Sequence, residues 1–124
     1  MTTYAVQADG SLTDPKSLSD GQTALCWIER VRGFYYVANT ASNTLSGFTI
    51  DATGQPSLVG ATGIVATTQP GPIDLAASSE GNFLYGETGV TSTVDEYHVE
   101  SNGSLTKLGT VTGLPPGIEG IAAS

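Results

Sequence analysis

The chain has 124 residues, enough for one domain, and sets four basic residues against twelve acidic ones for a net charge of −8. That balance repels polyanions, so nucleic acid and anionic membranes are not expected as partners, and a phosphorylated substrate is disfavoured unless one or two basic residues such as Arg30 and Arg32 converge on it or sequence outside these 124 residues supplies them. Sixteen Gly, six Pro and only 13% charged residues argue against amphipathic helices, and the lone Cys26 excludes an internal disulfide or a cysteine zinc cluster.

The first element is Tyr4-Ala5-Val6 followed by Asp9-Gly10, a strand running into a turn whose glycine supplies positive φ. Ahead of it, Met1-Thr2-Thr3-Tyr4 lacks the basic and apolar regions of a secretory leader, and no later stretch reaches the ~20 apolar residues of a membrane helix. A cytoplasmic location is expected. Four strands are expected next, at 23–29, 34–39, 44–50 and 57–65, and the apolar neighbours Leu25, Trp27 and Ile28 suggest that Cys26 is buried. A second set follows at 72–78, 83–88, 92–99 and 104–111. Between the sets, Gln69-Pro70-Gly71-Pro72 breaks the ladder, as Leu114-Pro115-Pro116-Gly117 does after the second.

The two sets are copies. Phe34-Tyr35-Tyr36 matches Phe83-Leu84-Tyr85, Gly54 matches Gly103 and Gly60 matches Gly109, each 49 residues on. Tyr4-Ala5-Val6 and Gly10 fall on Phe48-Thr49-Ile50 and Gly54 at an offset of 44, and Gly71…Leu75 recurs as Gly21…Leu25 and Gly117…Ile121. Four antiparallel strands repeating at ~40–50 residues describe a blade of a β-propeller. A β-sandwich of about ten strands would suit the length, but nothing in that architecture makes turns and aromatics recur in register. The expected fold is all-β, a propeller fragment of about two and a half blades: a partial blade of third and outer strands at 1–22, full blades at 23–65 and 66–112, and one inner strand of a final blade at 113–124.

Gly33-Phe34-Tyr35-Tyr36-Val37-Ala38-Asn39-Thr40 with Ser42-Asn43-Thr44-Leu45-Ser46, Cys26-Trp27-Ile28, and Asp74-Leu75-Ala76 through Gly81-Asn82-Phe83-Leu84-Tyr85 resemble the seven-bladed lactonase family. That family includes 6-phosphogluconolactonases, and the related fungal carboxymuconate cyclases share its fold. The resemblance runs from about residue 3 to the end, with Gly86-Glu87-Thr88 departing from the first blade's Val37-Ala38-Asn39. It implies hydrolysis of a sugar-acid lactone such as 6-phosphogluconolactone, with a base to take the proton of water and a cation or donors to stabilise the oxyanion, and a C-terminal strand that helps to close the ring; no cofactor is expected and no metal ligand is assigned. On that pattern Ser124 is expected to be a true end, and Met1 an interruption with more than four blades upstream.

Candidate site residues follow from the inner strands, which line the channel where propellers bind ligands. Asp74 and Glu119 are not demanded by the repeat, whose equivalent positions hold Ala24 and Gly120, and Thr23 and Ile73. A carboxylate the fold does not need can activate water for lactone opening or hold a metal that does so, or can equally satisfy backbone donors at the channel rim. Trp27, which replaces Ala77 and Ala123, is either core or a ligand-facing indole. Arg30 and Arg32 follow the first inner strand as candidate anion contacts, with a solvated turn as the plainer reading. His98 is expected opposite Tyr97 and Val99, on a solvated strand face with Glu96 and Glu100; these three could in principle hold a divalent cation, but the wide spacing of alternate side chains makes such a site awkward. Asp51 and Asp95 are expected to be structural. A non-catalytic scaffold and an inactive fragment are the competing functional classes. Self-association through open blade faces is a further expectation, although joining two chains leaves one blade without its second strand.

Overall fold

The computed structural model describes residues 1–124, and its three hairpin turns are built alike. Gly10, Gly54 and Gly103 each have a φ of +84°. Their N–H groups donate to the carbonyls of Gln7, Asp51 and Glu100 at 2.9, 2.9 and 3.0 Å, and the N–H groups of those three residues donate to Ser11, Gln55 and Ser104 at 2.9, 3.1 and 2.9 Å. Only a residue without a Cβ enters this conformation freely, so the glycines recur because the turn recurs.

The strands are β1 (Thr2–Val6), β2 (Leu12–Ser17), β3 (Leu25–Val31), β4 (Phe34–Asn39), β5 (Thr44–Ile50), β6 (Pro56–Leu58), β7 (Ile64–Thr67), β8 (Pro72–Ala77), β9 (Phe83–Thr88), β10 (Thr93–Val99) and β11 (Leu105–Val111). The chain is all-β. β1 and β2 form a separate hairpin, β3-β4-β5-β6 with β7 the first blade, and β8-β9-β10-β11 the second, all antiparallel.

Two expected strands come out differently. The outer strand placed at 57–65 is split into β6 and β7, which pair with opposite ends of β5, because the chain loops out between Gly60 and Gly63, both at positive φ. The Gly47 N–H closes this loop by donating to the Gly63 carbonyl at 2.8 Å. The closing strand expected within 113–124 is not formed. A strand needs a partner edge, and this segment is tied to β8 only through the Ile121 N–H, which donates to the Asp74 carboxylate at 3.1 Å.

Blade packs on blade through alternate residues. Along β10, Thr93, Asp95, Tyr97 and Val99 are buried while Val94, Glu96 and His98 are half-covered, the period of two expected of the third strand. Tyr97 and Val99 join Leu75 and Leu84 of the second blade and Val31, Tyr36, Ala38 and Leu45 of the first in one core. Tyr36 crosses this interface, its hydroxyl donating to the Gly103 carbonyl at 3.0 Å, and the Phe34 ring lies directly over Gly103. Burial pushes the Tyr36 hydroxyl up to about 12, against the opposing charge of Arg32. Tyr36→Phe leaves the Gly103 carbonyl buried without its donor and is expected to cost about 1–2 kcal/mol. A urea unfolding midpoint equal to that of the parent would contradict the assignment.

Asp95 is structural, as expected, and fully buried: Lys107, Thr110 and the Gln69 N–H donate to it at 2.8, 2.6 and 3.0 Å. Asp51 accepts from the Thr53 N–H and hydroxyl and the Gln55 N–H within its turn. The His98 face is less open than expected. Its ring stacks edge-on against Phe83 at 5.7 Å and its Nδ1 lies 3.0 Å from Glu100, whose same oxygen also accepts from Thr106, so that carboxylate is already occupied.

Candidate functional site

Three of the five residues singled out on the inner strands meet in one place. A cleft of about 400 Å³ opens between β3 and β8 and is lined by Cys26, Trp27, Ile73, Asp74, Glu119 and Gly120. Both strands are irregular there: the ladder slips between Leu25 and Trp27 and again between Pro72 and Asp74. Such slips re-aim the side chains beside them. Trp27 is accordingly 47% exposed, not core. The same slip corrects the expectation for Cys26, whose thiol is exposed because the innermost strand has no neighbour on its channel side.

Asp74 is held at the floor. One of its oxygens accepts from the Leu75 N–H at 2.7 Å and the other from the Ile121 N–H at 3.1 Å, so it pins the segment that carries Glu119 across the cleft. Glu119 itself is exposed. Two further carboxylates were not singled out as site candidates. Glu87 on β9 is the ladder partner of Asp74, is only 3% exposed, and its Oε1 is buried with no hydrogen-bond partner. Burial and then the charges of Asp74 and Glu119 push its carboxyl above the ordinary range. Glu29 on β3 is raised for related reasons, burial first and the Asp74 charge second. The signal for Glu87 was present in the sequence, since Gly86-Glu87-Thr88 puts a carboxylate where the first blade has the core residue Ala38.

Arg30 and Arg32 do not join this group. β3 carries them toward its other end, where the Arg30 guanidinium sits 5.7 Å over the Tyr35 ring and its Nε donates to the Arg32 carbonyl at 3.1 Å. Arg32 straps the blades together, donating to the Asn82 side chain and to the Val99 carbonyl. Lys16 is engaged with Asp14 and the Thr53 carbonyl, and Lys107 with Asp95. All four Lys and Arg side chains therefore lie outside the cleft, whose only charged lining groups are the carboxylates of Asp74 and Glu119.

Solved structures share this arrangement of strands. A periplasmic gluconolactonase from Pseudomonas aeruginosa superposes with a TM-score of 0.73 at 19% identity, covering 95% of this chain and 40% of that one. The fold is that of a lactonase-type propeller. A Bacteroides fragilis protein to which 6-phosphogluconolactonase activity has been attributed gives 0.71 at 18% identity, over 94% of this chain and 38% of the other. A protein of unknown function from Desulfotomaculum acetoxidans gives 0.70 at 25%, over 86% and 33%. This lactonase-type arc thus spans a third to two fifths of the length of the solved structures it matches. No protein-family model and no curated protein matches the chain.

Proposed function

We propose that the cleft opens an uncharged sugar-acid lactone, with Glu119 and Glu87 as its acid–base pair. The observation that carries this reading is the buried, unpartnered Glu87 oxygen behind a cleft faced by Trp27 and Glu119. Glu119, exposed to solvent, takes a proton from water as the water oxygen bonds to the lactone carbonyl carbon. Glu87, whose raised pKa keeps a proton on it to higher pH, donates toward the carbonyl oxygen as charge gathers there. Collapse breaks the ring C–O bond, and the proton held by Glu119 passes to the departing ring oxygen, leaving a hydroxy acid. Asp74 positions Glu119 through its hold on Ile121 and contributes to the raised pKa of Glu87. The Trp27 ring offers a flat apolar surface to the sugar ring.

With Asp74 and Glu119 lining the cleft, Glu87 and Glu29 feeling the Asp74 charge, and no cation among the lining residues, a neutral gluconolactone suits it better than the phosphorylated lactone that the family resemblance brings with it. Hydrolysis of glucono-δ-lactone by the chain is expected to outpace spontaneous opening, and Glu119→Gln to lower the excess rate by ~10²-fold. Activity should fall as pH rises through the raised Glu87 pKa, and Glu87→Gln should abolish that alkaline limb. Rates equal to buffer alone would sink the reading in favour of a non-catalytic module.

A further inference from the structure

The interface between the two blades is made of a projecting part and a receiving part, and each of these recurs once more in the chain without its counterpart. The projecting part is Phe34, Tyr36 and Leu45, whose side chains leave the first blade and pack on the second. The receiving part is Tyr97, Val99 and Leu105 with the Gly103 turn. Forty-nine residues on from the projecting part stand Phe83, Tyr85 and Val94, on a face that also carries Glu96 and His98 as the ladder partners of Tyr85 and Phe83. Tyr36 and Leu45 are fully buried, whereas Tyr85 and Val94 are left partly exposed. The receiving part recurs in the β1–β2 hairpin: Tyr4, Val6, Gly10 and Leu12 correspond in register to Tyr97, Val99, Gly103 and Leu105.

That hairpin face is bare. Tyr4, Val6 and Leu12 are 52%, 73% and 60% exposed. The Gly10 turn has the same hydrogen bonds and the same φ as the Gly103 turn, yet nothing lies within 4 Å of where its Cβ would be, in the place that the Phe34 ring takes on Gly103. The opposite side of the hairpin is already docked on the first blade, with the Thr3 hydroxyl donating to the Gly54 carbonyl at 2.6 Å. One chain therefore carries an unmatched projecting face and an unmatched receiving face of the same interface.

We propose that the chain associates head to tail with a second copy of itself, the Phe83, Tyr85 and Val94 face of one copy receiving the Tyr4, Val6 and Leu12 face of the other. Phe83 then covers the partner's Gly10 turn, and the Tyr85 hydroxyl donates to the carbonyl of that turn, as Phe34 and Tyr36 do at Gly103. The composite blade holds only the hairpin's two strands, since 113–124 forms none, so this contact is weaker than the internal one and depends on concentration. Two surfaces that differ make the interface heterologous, which gives either a ring or an open arc. Each copy carries a net charge of −8, so added salt should strengthen association by screening their repulsion.

Sedimentation of the 124-residue chain across concentrations at physiological salt provides the test. The parent should form dimers or longer arcs. Tyr85→Asp and Val6→Asp should each weaken association at least ~10-fold. Val6 is exposed in the single copy, so that substitution spares the fold, and Tyr85→Phe, which removes only the hydroxyl, should weaken association less. An equimolar mixture of Tyr85→Asp and Val6→Asp decides the geometry. Each variant retains the face the other lacks, so the mixture should give a one-to-one complex that neither forms alone. A parent that stays monomeric at every concentration, or variants that associate as the parent does, or a mixture that forms no complex, would overturn the proposal.

Discussion

Asp95→Ala is expected to destabilise the chain by about 2–4 kcal/mol, read from urea unfolding at neutral pH. The carboxylate is fully buried and takes hydrogen bonds from Lys107, Thr110 and the Gln69 N–H, with the Tyr97 hydroxyl at 3.4 Å. Truncation leaves the Thr110 hydroxyl and the Gln69 N–H without their acceptor. Lys107 is the smaller part of the cost, since its ammonium is partly exposed and can turn back to water. Burial alone would raise the Asp95 pKa, but the bonds from Lys107, Thr110 and Gln69 and the charge of Lys107 outweigh it and hold the carboxyl below its ordinary value of 3.8. A carboxyl depressed in the folded state stabilises fully above its unfolded pKa, and that stability is lost as pH falls through the folded one. The parent should therefore lose stability below about pH 4, and Asp95→Asn should be weaker at neutral pH but flatter across the acid range. An Asp95→Ala midpoint within error of the parent would refute the role.

Gly103→Ala should cost about 2–5 kcal/mol, and Gly10→Ala only about 1–2 in the dissociated chain, although the two turns share one geometry. Both positions have a φ of +84°, where an L side chain is strained, and that part of the cost is common to them. They differ in what a Cβ would meet: at Gly10 nothing within 4 Å, at Gly103 the Phe34 ring at 2.5 Å from Cε1 and 2.6 Å from Cδ1. The ring is packed against the core shared by the two blades and beside the Tyr36 ring, so the excess measures blade-to-blade packing. In a Phe34→Ala background the two alanine substitutions should cost the same. An excess at Gly103 that survives loss of the ring would mean that something other than this contact forbids the methyl group.

The structure brings some of the residues singled out in the sequence together at the Trp27 cleft and places others elsewhere. Trp27 and Asp74 were legible because a propeller's inner strands face its channel and these residues interrupt an otherwise small-residue pattern. Glu119 was legible as a charge where the other inner strands carry Thr23 and Ile73, though it reaches the cleft on an irregular segment and not on a strand. Arg30 and Arg32 lie away from the cleft because nearness in sequence to an inner strand is not nearness to the cleft: each residue along an extended strand moves the chain about 3.3 Å. Glu87 lay in plain view as a break in the repeat, but only the pairing of β8 with β9 sets it opposite Asp74.

Where a feature depends on local backbone chemistry, the amino-acid order alone determined it: the period of 49, the glycine turns at positive φ, the four-stranded unit and the alternation that buries Tyr97 and Val99 while leaving His98 aside. These follow from what a turn or a pleat demands within a few residues. The tertiary structure decided what depends on packing between distant segments. It split the outer strand of the first blade at Gly60 and Gly63, left 113–124 without a strand, exposed Cys26 and Trp27, and withheld a hydrogen-bond partner from Glu87. It also showed that the hairpin at 1–22 is covered on one side and bare on the other, because a blade has two faces and each is buried only where a neighbouring blade supplies the side chains to cover it.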